Sequence, residues 1–339
     1  MRAAFPSPRL RLRPPFPSRA ASIFRGVFPI LATPFHPDES LDLDGFRAAV
    51  RFMQRAGASG ATIVGVLGES NRMTDAERAA LIRTAVDAVD GAAFPICVGT
   101  SHTGTAATVA LSRMAQELGA SAVMVTPAKE PTPPADDALV ALYSRVADAC
   151  PGLPIVLQDH PASTQVHMAP RLVARIAHEV PAVACIKLES LPTPARIAAL
   201  RRLWATELPP GGDCTILTGL GALYGGFDME QGTDGFMTGF AFPEVLAAMN
   251  NAAQAGDMEH AHALYAKYLP MMVFEQQPGV AVRKQLYQLR GLISSPHVRH
   301  PGNNISPTLK AALELQVQRT FAGVDITKPL PPELFRKPV

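Results

Sequence analysis

The chain has 339 residues, of which 47% are hydrophobic and 18% charged, and its formal net charge is +2. That composition excludes a disordered protein, and the balanced charge excludes a chain built mainly to hold nucleic acid. No apolar run reaches the roughly 18 residues of a membrane helix, and the length suffices for one large α/β domain or two smaller ones.

Residues 1–22 carry Arg2, Arg9, Arg11, Arg13 and Arg19 among prolines and serines, with no acidic residue. Such a segment cannot bury a core and is expected to be a disordered extension. A transit peptide has a similar composition, but Pro14, Pro15 and Pro17 break the amphipathic helix it needs. A non-functional extension is the plainer reading.

From Phe24 onward, short apolar runs alternate with stretches of 3.6-residue periodicity. Strands are expected at Gly26–Thr33, Ala61–Val66, Phe94–Gly99, Ala122–Thr126, Ile155–Gln158, Val183–Leu188, Thr215–Thr218 and Gly235–Thr238. Helices are expected near 43–56, 75–89, 104–118, 136–149, 170–179, 193–206, 220–230 and 244–255. Thr74-Asp75-Ala76-Glu77 has the spacing of a capping box and fixes the start of the second helix. Eight such alternations predict an α/β fold, a (β/α)8 TIM barrel over 23–256. A doubly wound open sheet competes, but its glycine-rich turn after the first strand is absent, and Ala32-Thr33-Pro34-Phe35 stands there. Helices near 257–268, 279–291 and 307–319 predict a C-terminal helical extension over 257–320, and 321–339 reads as an exposed tail. Cys97, Cys150, Cys185 and Cys214 form no CxxC pair, so neither a zinc site nor a disulfide framework is expected. Cys97, Cys185 and Cys214 lie in strand-like runs and read as buried thiols, which suits a cytoplasmic location.

In a barrel the site lies at the C-terminal ends of the strands. Alternation along Val183-Ala-Cys-Ile-Lys187-Leu-Glu189 puts Cys185, Lys187 and Glu189 on one face. An inward lysine must be paired or lose its proton readily, and either condition suits an amine that attacks a carbonyl. Glu189 would then be an acid/base beside it, whereas an outward lysine would make both residues a surface pair. In Gly65-Val-Leu-Gly68-Glu69-Ser70, two glycines allow a tight turn whose N–H groups could hold a carboxylate, or simply a turn. Gln158-Asp159-His160-Pro161 ends the fifth strand, with Gln158 inward if Val156 is, and His160 is a candidate acid/base or a loop residue. Thr100-Ser101-His102 suits binding of substrate oxygens, or N-capping of the next helix.

Together these segments resemble the dihydrodipicolinate synthase / N-acetylneuraminate lyase family. The resemblance covers about Phe24 to Phe321. It rests on Gly26-Val-Phe-Pro-Ile-Leu-Ala-Thr-Pro-Phe35, Gly65–Ser70, Val125-Thr-Pro127, Leu157 with Pro161, Ile186-Lys187, Thr218-Gly219 and Pro278–Gly291. It implies a barrel with a helical extension, usually tetrameric, with Lys187 as the Schiff-base lysine for a 2-oxo acid. It also implies that the 65–70 turn holds the substrate carboxylate. The departures from the family's lysine-biosynthesis pattern are specific. Gln158 stands where a tyrosine is expected, Val66 replaces a hydroxyl residue, and Ala128-Lys129-Glu130 replaces a second tyrosine. The hydroxyl relay is missing, so lysine biosynthesis is not expected. Gln158-Asp159-His160-Pro161, Lys187-Leu188-Glu189 and Thr100-Ser101-His102 are instead similar to the 2-keto-3-deoxy-L-arabonate dehydratases, although the 65–70 turn is not.

The expected activity is therefore a Schiff-base lyase on a small 2-oxo acid, dehydrating a 2-keto-3-deoxy sugar acid. Lys187 and Glu189 are the catalytic candidates. Gly68, Glu69, Ser70, Thr100, His102, Gln158 and Gly219 are the substrate-binding ones. No metal or organic cofactor is expected, and neither a nucleic-acid nor a membrane partner. A homo-oligomer, dimer or tetramer, is expected. A pyruvate-dependent aldolase, a hydroxypyrroline-carboxylate deaminase and a non-catalytic ligand-binding barrel are the alternatives.

Overall fold

Strands β1 (Gly26–Pro29), β2 (Ala61–Ile63), β3 (Ile96–Gly99), β4 (Ala122–Val125), β5 (Ile155–Asp159), β6 (Val183–Leu188), β7 (Thr215–Thr218) and β8 (Gly235–Thr238) pair in parallel in the order β1-β8-β7-β6-β5-β4-β3-β2. A parallel bridge from Ile30 to Thr62, with Leu31 N–H donating to the Thr62 carbonyl at 2.9 Å, joins β1 to β2 and closes the barrel. These coordinates are a computed structural model that describes residues 23–89, 93–130, 134–207, 214–277 and 279–337. The expected extension over residues 1–22 lies outside them.

Side-chain alternation produces two apolar layers. Phe28, Ile30, Cys97, Met124, Val156, Cys185, Leu217 and Met237 point into the barrel and fill it, with Phe24 at its base. Val27, Ile63, Val98, Val123, Leu157, Ile186 and Phe236 point outward beneath the helices. Cys97 and Cys185 are buried as expected, whereas Cys214, just before β7, is only half-buried.

The helices are α1 (Leu43–Arg55), α2 (Asp75–Ala88), α3 (Thr105–Glu117), α4 (Asp136–Ala149), α5 (Pro161–Thr164), α6 (Pro170–Glu179), α7 (Thr193–Thr206), α8 (Gly225–Glu230), α9 (Pro243–Gln254), α10 (Met258–Glu275), α11 (Val280–Leu289) and α12 (Pro307–Thr320). The capping box at α2 forms: Glu77 N–H donates to Thr74 Oγ1, and Thr74 N–H to Glu77 Oε2 at 2.8 Å.

Three expectations change. The helix expected near 220–230 is interrupted. Leu220, Gly221 and Ala222 take φ of 52°, 66° and 59°, and α8 starts only at Gly225. Gly221 N–H donates to Thr238 Oγ1 at 2.6 Å and Leu220 N–H to Glu189 Oε1 at 3.3 Å, so the backbone bends toward strand-end side chains instead of coiling. Helix α10 runs past its expected end and through Pro270. Burial of Met271 and Met272 beyond the expected end offsets the hydrogen bond that proline cannot make.

The segment after Phe321 is largely exposed, as expected, but it is tied to the helices and is not a free tail. Leu330 is buried, its N–H donates to Glu244 Oε1 at 3.1 Å, and the Phe335 ring lies 6.1 Å from that of Tyr268 on α10. Its leucines and phenylalanine cover apolar surface that the helices alone leave open. Among the described residues, no helix is long and apolar enough to cross a membrane.

Candidate active site

Strand β6 carries Lys187 to the barrel mouth. Cys185 lies in the interior layer, so alternation turns Lys187 the same way, and its side chain is 5% exposed. Glu189, just beyond the strand, places Oε2 3.1 Å from Lys187 Nζ. Strand β5 pairs with β6 so that Gln158 stands beside Lys187. Val156 is inward, hence so is Gln158, and its Nε2 donates to Glu189 Oε2 at 2.7 Å. The other Glu189 oxygen accepts from Leu220 N–H, so both carboxylate oxygens are held. Burial would raise the Glu189 carboxyl. The Lys187 cation, His160 and the hydrogen bonds from Gln158 and Lys187 outweigh it and hold it below its ordinary value. Glu189 is thus an ionised carboxylate at the side of the amine.

Gly219 follows β7 on the inward face. A Cβ there would overlap the Cγ, Cδ and Oε1 of Glu189. The residue expected to bind substrate is instead the space into which the carboxylate fits.

The turn after β2 satisfies part of its own backbone. Val64 takes φ 56° and ends the strand early, and Val66–Gly68 forms one turn of 3₁₀ helix. Gly68 N–H donates to the Gly65 carbonyl, Glu69 N–H to that of Val66 and Ser70 N–H to that of Gly65, at 3.0, 3.0 and 3.4 Å. These three donors are spent within the turn, whereas the N–H groups of Val66 and Leu67 make no hydrogen bond to another described residue. The Ser70 carbonyl accepts from Arg78. Glu69 is 1% exposed and turned toward the C-terminal helices. Its Oε1 pairs with Lys284 of α11, and its Oε2 with Arg72 at 2.6 Å and with Arg299 N–H at 3.1 Å. Lys284 also lies 4.4 Å from the Phe35 ring centre, and burial pushes its ammonium down to about 8 against the pull of Glu69. Glu69 therefore anchors the turn to the extension and is not free to bind substrate.

Thr100 and His102 are not brought to the cluster either. Cys97 is inward, so Thr100 points outward and bonds Ser112 Oγ of α3 at 2.9 Å. His102 is exposed, with Nδ1 accepting from Gly104 N–H at 3.2 Å, just ahead of α3. The helix-capping alternative is not realised either: α3 has Gly104 at its N-cap with no side-chain bond, and Ser101 Oγ accepts instead from Thr126 N–H at 2.9 Å. His160 is half-buried and bonded to Ser163 Oγ at 2.7 Å.

Two groups near the cluster were not foreseen. Asp159 is fully buried and pairs with Arg196 of α7 at 2.9 Å. Burial pushes its carboxyl up to about 6 despite that cation. Arg283 of α11 is also buried, paired through Nε with Glu275. The available signal for Arg283 was two adjacent cations, Arg283 and Lys284, in a helix with no other charged residue.

A closed α/β barrel with a buried lysine and carboxylate at its strand ends places the chain in the class of (β/α)8 barrel proteins. Comparison with known proteins narrows that class. The sequence profile of the dihydrodipicolinate synthetase family matches residues 23–320, and the chain belongs to that family. It is 36% identical over 298 residues to an L-2-keto-3-deoxyarabonate dehydratase of Azospirillum brasilense, covering 85% of this chain and 92% of that protein. It is 31% identical over 314 residues to 4-hydroxy-tetrahydrodipicolinate synthase 2 of Streptomyces coelicolor, covering 89% and 97%. Among solved structures, dihydrodipicolinate synthase of Rhodopseudomonas palustris superposes with a TM-score of 0.81 at 32% identity, covering 88% of this chain and 98% of that one. YagE, a prophage protein of E. coli K12 solved in complex with pyruvate, gives 0.78 at 28% identity, covering 88% and 99%. The chain is an enzyme, a lyase or aldolase of this family.

Proposed function

We propose that the chain is a Schiff-base dehydratase of 2-keto-3-deoxy sugar acids. The observation that carries the reading is the buried cluster of Lys187, Glu189 and Gln158, in which an amine and an ionised carboxylate lie 3.1 Å apart. The likeness to the Azospirillum dehydratase supports it, as does Gln158 at the position where the resemblance to the synthases leads one to expect a tyrosine.

The reaction follows from that pair. The Lys187 ammonium passes a proton to its neighbour, and the neutral amine adds to the C2 ketone. Loss of water from the carbinolamine gives an iminium, which acidifies the C3 protons. Glu189, again ionised once its proton has left with that water, removes one of them, and the C–H electrons form the C2–C3 double bond of an enamine. The enamine expels the C4 hydroxyl, which takes the proton from Glu189 and departs as water. Hydrolysis of the unsaturated iminium consumes one water and returns Lys187. Condensation released one water and elimination a second, so the net loss is one. Gln158 keeps Glu189 aimed through both proton transfers. The same reading expects a dimer or tetramer in the cytoplasm.

The test is intact mass after borohydride reduction in the presence of pyruvate or a panel of 2-keto-3-deoxy sugar acids, beside Lys187→Ala. An adduct in the wild type that is absent from the variant, lighter by one water with the sugar acids, is the expected result. Release of pyruvate or ammonia instead would move the chain to the aldolase or deaminase reading. No adduct with any 2-oxo acid would overturn the Schiff-base mechanism.

A further inference from the structure

The turn after β2 spends the N–H groups of Gly68, Glu69 and Ser70 on itself and carries no cation, so a substrate carboxylate held by its remaining Val66 and Leu67 N–H groups would still lack a charged partner. Two lysines at this end of the barrel are already paired, Lys187 with Glu189 and Lys284 with Glu69. Arg283 is different. Its Nε is paired with Glu275, whose two oxygens also accept from Ala241 N–H at 3.0 Å. Its Nη1 is buried and has no hydrogen-bond partner among the described residues. A buried guanidinium donor is nearly always satisfied, so this one marks a place for an acceptor.

Where that nitrogen lies says which acceptor. Met237 is in the interior layer, so alternation along β8 turns Gly239 inward as well. A Cβ on Gly239 would overlap Arg283 Nη1 and Leu67 Cδ1. Leu67 itself packs on the interior layer. The guanidinium edge therefore occupies the space that a side chain at 239 would take, at the mouth of the barrel into which Lys187 also points.

We propose that Arg283 is a substrate-binding residue whose Nη1 donates to the C1 carboxylate of the 2-oxo acid, with Gly239 as the clearance that admits it. The proposal rests on the 2-oxo acid reading above, since C1 is bonded to the carbon that Lys187 would attack. A fixed guanidinium suits a carboxylate better than the point charge of a lysine. Glu275 orients it from behind and leaves Nη1 for the ligand.

The experiment measures ligand binding in the Lys187→Ala background, which cannot condense, so it stands whatever borohydride trapping shows. Calorimetry compares pyruvate with its neutral amide, pyruvamide. Adding Arg283→Met is expected to weaken pyruvate by about tenfold or more and to leave pyruvamide unchanged. Arg283→Lys should fall between. Gly239→Ala, which displaces the guanidinium but keeps the charge, should also weaken pyruvate selectively, and it serves if Arg283→Met does not fold. Equal weakening of both ligands would assign Arg283 to the fold alone. Unchanged pyruvate binding, or none detectable with Arg283 intact, would overturn the proposal.

Discussion

The fit between Gly219 and Glu189 makes a sharp prediction. Gly219 has φ −106° and ψ −135°, so alanine meets no left-handed strain there. The whole effect is steric. Its Cβ would come within 3.0 Å of three Glu189 side-chain atoms, a separation that real Cβ contacts essentially never show. Restoring ordinary contact moves the carboxylate by about 1 Å, and a misplacement of that size costs about 10²-fold in rate. The bonds at risk are those to Lys187 at 3.1 Å, Gln158 at 2.7 Å and Leu220 N–H at 3.3 Å. Overpacking adds about 1–3 kcal/mol of destabilisation. The assay is deuterium exchange into the C3 methyl of pyruvate, followed by NMR, which reads proton abstraction without dehydration. Gly219→Ala should still form the borohydride adduct through Lys187 while exchange falls about 10²-fold. Exchange at the wild-type rate would refute Glu189 as the base held in that space.

Three further outcomes are expected. Lys284→Met strips Glu69 of a buried cation and should destabilise the chain by about 3–5 kcal/mol in urea unfolding, with no change in the mass of any adduct. Asp159 titrates at about 6 in the fold against an ordinary 3.8, so between those values the folded chain holds a proton that the unfolded chain has lost. Its contribution to stability therefore falls as pH rises through that window, by on the order of 3 kcal/mol, and the curve for wild type minus Asp159→Asn should show that fall. Thr74→Ala removes the side-chain half of the α2 capping box, the acceptor for Glu77 N–H, and should shift the urea midpoint by the equivalent of about 1 kcal/mol.

Periodicity carried most of the barrel. Val183–Leu188 is an apolar run bounded by Pro181 and by Glu189, and it forms a strand over those residues. Local pattern fails where a backbone angle or a distant partner decides. Val64 is β-branched and reads as strand, yet it adopts φ 56° and ends β2. The inward placement of Lys187 and Gln158 was legible because alternation tied them to Cys185 and Val156. The same rule, run from Cys97, turns Thr100 outward, so its placement was legible too. Glu69 was not, because apart from its near neighbour Arg72 its partners lie on α11 and in the segment after it, and no local spacing announces those. Nor was Gly219, whose significance is the volume it leaves for another residue.

The anchoring of Glu69 has a consequence for how the chain is made. Arg299, which closes over that carboxylate, lies 230 residues downstream. At about 5–20 residues per second, Glu69 waits on the order of ten to fifty seconds after leaving the ribosome for that contact. All eight strands emerge before the segment that locks the turn beside the barrel mouth. A nascent barrel therefore passes through a period with its strands present and that turn unsecured. Chains halted before α11 should accumulate as protease-sensitive, inactive species, however complete their barrels.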